Sequence, residues 1–189
     1  MILKGLIFLL ILNLSRAAEN SSCPNIISRS EWGAREPKKI NYLIIPVLNV
    51  IIHHTVTEQC NTIADCSSIA RSIQSSQMDN LGWDDIGISF LIGSDGNVYE
   101  GSGWYQEGAH TYGYNKKSIG VFLVGSFQDQ EPSQQMIDTA HKLIRCGKSL
   151  GFLRRSVRVI AARQVSSTLS PGQKVFNKIR NWPEWVSNP

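Results

Sequence analysis

Apolar residues recur along this chain with two periods, and the alternation between them outlines the fold. Asn49 to His53 is a β-branched apolar run that reads as a buried strand. From Asp65, a polar N-cap candidate, to about Asn80, the residues Ile69, Ile73 and Met78 recur near helical spacing. Ile86 to Ile92 is a second strand. Ser94-Asp95-Gly96-Asn97 is a hairpin turn of the Asp-Gly kind leading into the strand Val98-Tyr99-Glu100. Ile119 to Val124 and Val157 to Ala161 are two further strands. Between them Ser133 to Leu150 is amphipathic, with Met136, Ile137, Ala140, Leu143 and Ile144 on one face. Gly172 to Trp182 is a final helix.

Two stretches break the pattern. Ser30-Glu31-Trp32-Gly33 reads as part of an irregular arm. Gly101 to Asn115 has glycine, tryptophan, tyrosine and histidine without periodicity, and is a loop. Strands alternate with long helices and no internal repeat is present, so one α/β domain from about residue 23 to 189 is expected. A long aromatic loop beside strand ends is where such a domain places a ligand groove.

The first residues read differently. Lys4 gives a positive start, Gly5 to Leu14 is apolar, and Ser15-Arg16-Ala17 offers small residues at a cleavage site. Residues 1–17 are therefore expected to be a secretory signal peptide, too short to span a bilayer, followed by a domain over 18–189. No membrane association is expected of the mature chain, and Asn20-Ser21-Ser22 is a glycosylation sequon that places Asn20 in an extracellular context. Loss of residues 1–17 removes Lys4 and Arg16, leaving 17 basic and 15 acidic residues and a formal charge of +2. That is too little for a nucleic-acid binder.

Four cysteines in a secreted chain indicate two disulfides, with three possible pairings. A short polar loop can close between Cys60 and Cys66, which leaves Cys23 with Cys146. No C-x-x-C pair supports a zinc site instead. Of the four histidines, His53 and His54 are neighbours on a strand and must face opposite ways. His141 sits beside an apolar helix face and reads as a surface or packing residue. His110 lies in the aromatic loop.

Several segments, in order, carry a resemblance. They are Ser30-Glu31-Trp32-Gly33, Val50-Ile51-Ile52-His53-His54-Thr55, the Cys60/Cys66 pair and Gly82-Trp83-Asp84-Asp85-Ile86-Gly87. Phe90-Leu91-Ile92-Gly93, Asp95 to Gly101, Gly108 to Asn115, Ser170-Pro171-Gly172 and Trp182-Pro183-Glu184-Trp185 follow. Over nearly its whole mature length the chain resembles the peptidoglycan recognition proteins, whose domain is like that of N-acetylmuramoyl-L-alanine amidases. The resemblance implies a central mixed β-sheet flanked by helices, with a muropeptide groove over the sheet.

In the amidase members a zinc ion is held by two histidines and a cysteine, and a tyrosine assists. The resemblance places His53 at the first ligand, Ala162 at the second, Ser170 at the third and Ile88 at the tyrosine. One imidazole cannot hold zinc against water, and a serine hydroxyl stays protonated where a thiolate would not. Without the ion no water is activated near neutral pH. A non-enzyme with no cofactor and no metal is expected.

The groove, by resemblance, involves His53, Thr55, Gln77, Gly82, Trp83, Ile88, Ser102, His110, Thr111, Tyr112, Asn115 and Ser170. Family members that read diaminopimelate stems tend to have Gly-Trp before Asp-Ile, and an arginine between two glycines to pair the extra carboxylate. Here Gly82-Trp83 is present but Ser102 stands between Gly101 and Gly103. The uncharged Ser102 weighs more, and lysine-type peptidoglycan is expected. The implied role is a secreted receptor, in haemolymph if the source is an insect, that starts a Toll-type protease cascade. A glucan-binding-like co-receptor and a serine protease would be its partners. The alternatives are a metal-independent peptidase using Ser170, and a regulator that sequesters peptidoglycan.

Overall fold

The computed structural model describes residues 23–189. The expected signal peptide and the Asn20 sequon lie outside the described residues. The chain opens with a two-residue strand β1 (Ile26–Ile27) and a single helical turn α1 (Arg29–Trp32). The arm is thus not irregular. The Ser28 N–H and hydroxyl both donate to the Glu31 carboxylate, at 2.7 and 2.6 Å, and Gly33, at φ 75°, takes the left-handed conformation that ends the turn. Trp32 is fully buried and its indole N–H donates to the Glu100 carbonyl at 2.8 Å.

The remaining elements are β2 (Val47–His54), α2 (Ile63–Ser75), β3 (Phe90–Ile92), β4 (Val98–Glu100), β5 (Ser118–Leu123), α3 (Gln134–Ser149), β6 (Leu153–Ala161) and α4 (Gln173–Ile179). The cap of α2 is Thr62, whose hydroxyl accepts from the Asp65 N–H, so Asp65 sits inside the first turn. A π-helical turn, Ser76–Asn80, carries α2 onward as the Met78 spacing required. The strand expected over 86–92 is confined to β3. Ile86 and Ile88 are buried, but their stretch runs outside the ladder.

The six strands form one sheet in the order β1-β4-β3-β5-β2-β6, antiparallel between β3 and β4 and parallel elsewhere. Alternation along the central strands gives the sheet two faces. Val50, Ile52, Val121, Leu123, Val159 and Ala161 form the main core with the apolar stripes of α3 and α4. On the other face, α1 and α2 cover β3 and β4 through Trp32, Ala70, Leu91 and Tyr99. That cover stops short of β5, β2 and β6, and the residues presented there are Ile51, His53, Phe122, Ile160 and Ala162.

Both expected disulfides are formed, Cys23–Cys146 and Cys60–Cys66, and no cysteine among the described residues is free. Among the described residues no helix is long and apolar enough to cross a membrane. His141 packs as expected, stacked on Trp182 and 3.1 Å from Glu184.

Candidate functional site

His53, the last residue but one of β2, lies on the face left uncovered by the helices, and register decides its neighbours. Phe122 of β5 is its ladder partner, and the two rings stack at 4.2 Å with 3° between their planes. On the β6 side, Ile51 pairs Ile160 and Ile52 pairs Ala161, so the same register brings Ala162 beside His53. His54, one residue on, faces the opposite way. Its Nδ1 accepts from the Phe127 N–H at 3.1 Å, in the main core.

Both ring nitrogens of His53 meet neutral hydroxyls. Nε2 lies 3.0 Å from Thr111 Oγ1, and Nδ1 lies 3.5 Å from Ser170 Oγ. The Thr111 hydroxyl also lies 3.0 Å from His110 Nδ1. A single hydroxyl donates once, so it bridges two imidazoles of complementary tautomer. The Ser170 hydroxyl accepts from the His54 N–H at 3.0 Å. Burial holds His53 down to about pKa 3, with His110 and His54 adding to the effect. Burial likewise holds His110 down to about 4, against a smaller upward pull from the Ser118 backbone. Both rings are therefore neutral at physiological pH.

These surroundings do not suit a metal ion. The nearest same-face neighbours of His53 are a phenyl ring and a methyl group, and the polar contacts are hydroxyls. Among the described residues no three His, Cys, Asp or Glu side chains converge as a ligand set.

The His110 ring packs against Gly120, where a Cβ would lie only 2.5 Å from the imidazole Cγ. The loop that carries it is fixed by Asn115, whose Oδ1 accepts from the N–H groups of His110 and Thr111 at 3.0 and 2.8 Å. Two adjoining hollows open above. One, of about 290 Å³, is lined by His53, Gln77, Trp83, Ile88, His110 and Phe122, with Ser166 and Thr168 at its rim. The other, of about 400 Å³, includes Gly82, Trp83, Ser102 and Asn115, with Lys39, Asp84, Asp85 and Glu107 as its charged residues. Trp83 is common to both.

Most of the expected site residues thus converge. Gln77 also accepts from the Gly87 N–H at 2.9 Å, which fixes the hollows' shared wall. Three stand apart. Thr55 spends its hydroxyl on the Gly125 N–H and Thr57 and lines neither hollow. Tyr112 is 98% exposed and lines a neighbouring depression with Glu107 and Lys116. Ser170 lies beneath His53, 7% exposed, and reaches neither hollow. Sequence reasoning missed Phe122, which strand alternation alone would have put on the His53 face. It also missed the charged wall of Lys39, Asp84 and Glu107.

A family model for N-acetylmuramoyl-L-alanine amidase matches residues 45–173. The chain belongs to the peptidoglycan recognition protein family. It is 47% identical over 163 residues to a peptidoglycan recognition protein of Trichoplusia ni, covering 86% of this chain and 90% of that one. Its fold matches bumblebee PGRP-SA with a TM-score of 0.87 at 59% identity, covering 88% of this chain and 100% of that one. Peptidoglycan recognition protein-LE in complex with tracheal cytotoxin, a monomeric diaminopimelic acid-type peptidoglycan, matches with a TM-score of 0.84 at 38% identity, covering 85% and 95%.

Proposed function

We propose that this chain is a secreted, non-catalytic receptor that binds bacterial peptidoglycan in the paired hollows around Trp83. The carrying observation is the contrast at His53. Its nitrogens meet only hydroxyls and its flanks are Phe122 and Ala162, while the space beside it stays open. A relative of the same fold in complex with a muropeptide supports the ligand class. Aromatic faces and amide groups suit an amino sugar bearing a short peptide.

Lysine-type stems are the preferred ligand in this reading. Ser102 supplies no positive charge, and Asp85 is already paired with Arg29 at 2.9 Å. Asp84 and Glu107 then face the hollow against Lys39, a balance that suits an ammonium better than an added carboxylate. Binding would start a Toll-type protease cascade with a glucan-binding-like co-receptor and a serine protease. Titration calorimetry with lysine-type and diaminopimelate-type muropeptides, with zinc content and released peptide measured on the same sample, tests this. Tighter lysine-type binding with no zinc-dependent release is expected. Zinc-dependent release of stem peptide would sink the reading.

One contact favours a second reading, a metal-independent peptidase. Ser170 Oγ lies 3.5 Å from the neutral His53 ring, a nucleophile–base pairing in outline. The Ser170 hydroxyl is buried and engaged by the His54 N–H, which weighs against attack on a substrate in the hollow. Stem-peptide cleavage that disappears in Ser170→Ala would establish it.

A further inference from the structure

The arm between β1 and β2 carries an open strand edge of unusual symmetry. Residues 41–43 run antiparallel to 105–107. The Leu43 N–H donates to the Tyr105 carbonyl and the Glu107 N–H to the Asn41 carbonyl, each at 2.8 Å, with Tyr42 opposite Gln106. In such a pairing the N–H and C=O of Tyr42 point the other way. Among the described residues, no backbone hydrogen bond involves Ile40, Tyr42 or Ile44. The same three side chains share one face, 37%, 72% and 90% exposed, while Leu43 between them is buried. Singly exposed apolar residues are ordinary. Three in strict alternation along an unpaired edge are a template for another strand.

We propose that this edge pairs with its own copy, as an antiparallel two-fold contact centred on Tyr42. The pattern is palindromic about that residue. A two-fold axis there sets Tyr42 against Tyr42 and Ile40 against Ile44 of the second copy, so each exposed apolar side chain meets another. The outward N–H and C=O groups of all three fall in register. Lys38 and Lys39 lie beyond the apolar stretch at one end and Pro46 beyond it at the other, so no two lysines oppose each other and the ladder stops after five residues. The contact is small, and the dimer is weak and concentration-dependent.

Sedimentation equilibrium of the mature protein up to millimolar concentration reads it directly. The wild type associates to a dimer, and Ile44→Lys and Tyr42→Pro remain monomeric with unchanged thermal unfolding. The register has its own readout. Tyr42 opposes itself at a Cα separation of about 5.5 Å, inside the disulfide range. Tyr42→Cys is therefore trapped as a covalent dimer under mild oxidation, whereas Ile44→Cys is not. A wild type that stays monomeric overturns the proposal, as does a dimer that both substitutions leave intact. Preferential cross-linking through Ile44→Cys overturns the register.

Discussion

At the scale of single residues, the site is a set of neutral polar groups held in a dry place. His53 and His110 have folded-state pKa values near 3 and 4, below the ordinary histidine value. The unfolded chain therefore binds more protons than the native one once pH falls below about 6.5. Their contribution to stability is fully present above that pH and is lost progressively as pH falls toward the folded values. Each ring contributes a slope of up to about 1.4 kcal/mol per pH unit across that window. Melting temperature measured between neutral pH and pH 4 should fall steeply for the wild type. His53→Gln should show a shallower fall. Equal slopes would mean that His53 is not held neutral by its surroundings. Gly120→Ala probes the same cluster from beneath. Its new Cβ would strike the His110 ring, costing about 1–3 kcal/mol as an overpacking change. Muropeptide affinity, measured by calorimetry on the folded variant, should drop as the ring leaves the hollow's wall.

At the scale of elements, what was legible depended on whether an element shows its own period. The β2, β5, β6 and α3 segments announce themselves because one or both faces enter the core. His53 and His54 could be assigned to opposite faces from alternation alone, and Phe127 N–H on His54 and Phe122 on His53 bear that out. The α1 turn was not legible because four residues carry no period. Its signal was chemical, Ser28 with Glu31 three residues later and Gly33 after. The stretch from Ile86 to Ser89 misled because buried apolar residues look alike in a strand and in a buried crossing. Convergence of Lys39, Asp84 and Glu107 on one hollow comes from three separate loops, and no local pattern encodes it. The arm turn matters energetically through Trp32. Trp32→Ala should cost about 3–5 kcal/mol, on the order of 10 °C in Tm at this length. Trp32→Phe should cost less, since it keeps most of the packing and loses the bond to the Glu100 carbonyl. Thermal unfolding of the two variants side by side checks the order.

At the scale of the molecule, the two disulfides act on different things. Cys60–Cys66, 6 residues apart, ties the loop before α2 to the start of that helix, while Cys23–Cys146 spans 123 residues and ties the start of the arm to α3. The arm needs such a tie. Its strand β1 is two residues long and, among the described residues, pairs only with β4, at the far edge of the sheet from β6. In the chain-entropy model the long bridge stabilises by about 5 kcal/mol and the short one by about 2, because a larger loop removes more freedom from the unfolded chain. The effect lies largely in the unfolded state, so denaturant unfolding should register it twice. A Cys23→Ser, Cys146→Ser pair should lower the urea midpoint strongly and raise the m-value, since the released chain expands and exposes more surface. A Cys60→Ser, Cys66→Ser pair should lower the midpoint modestly and leave m nearly unchanged. If the two pairs shift the midpoint equally, the long bridge is working by local packing at the arm and not by constraining the chain.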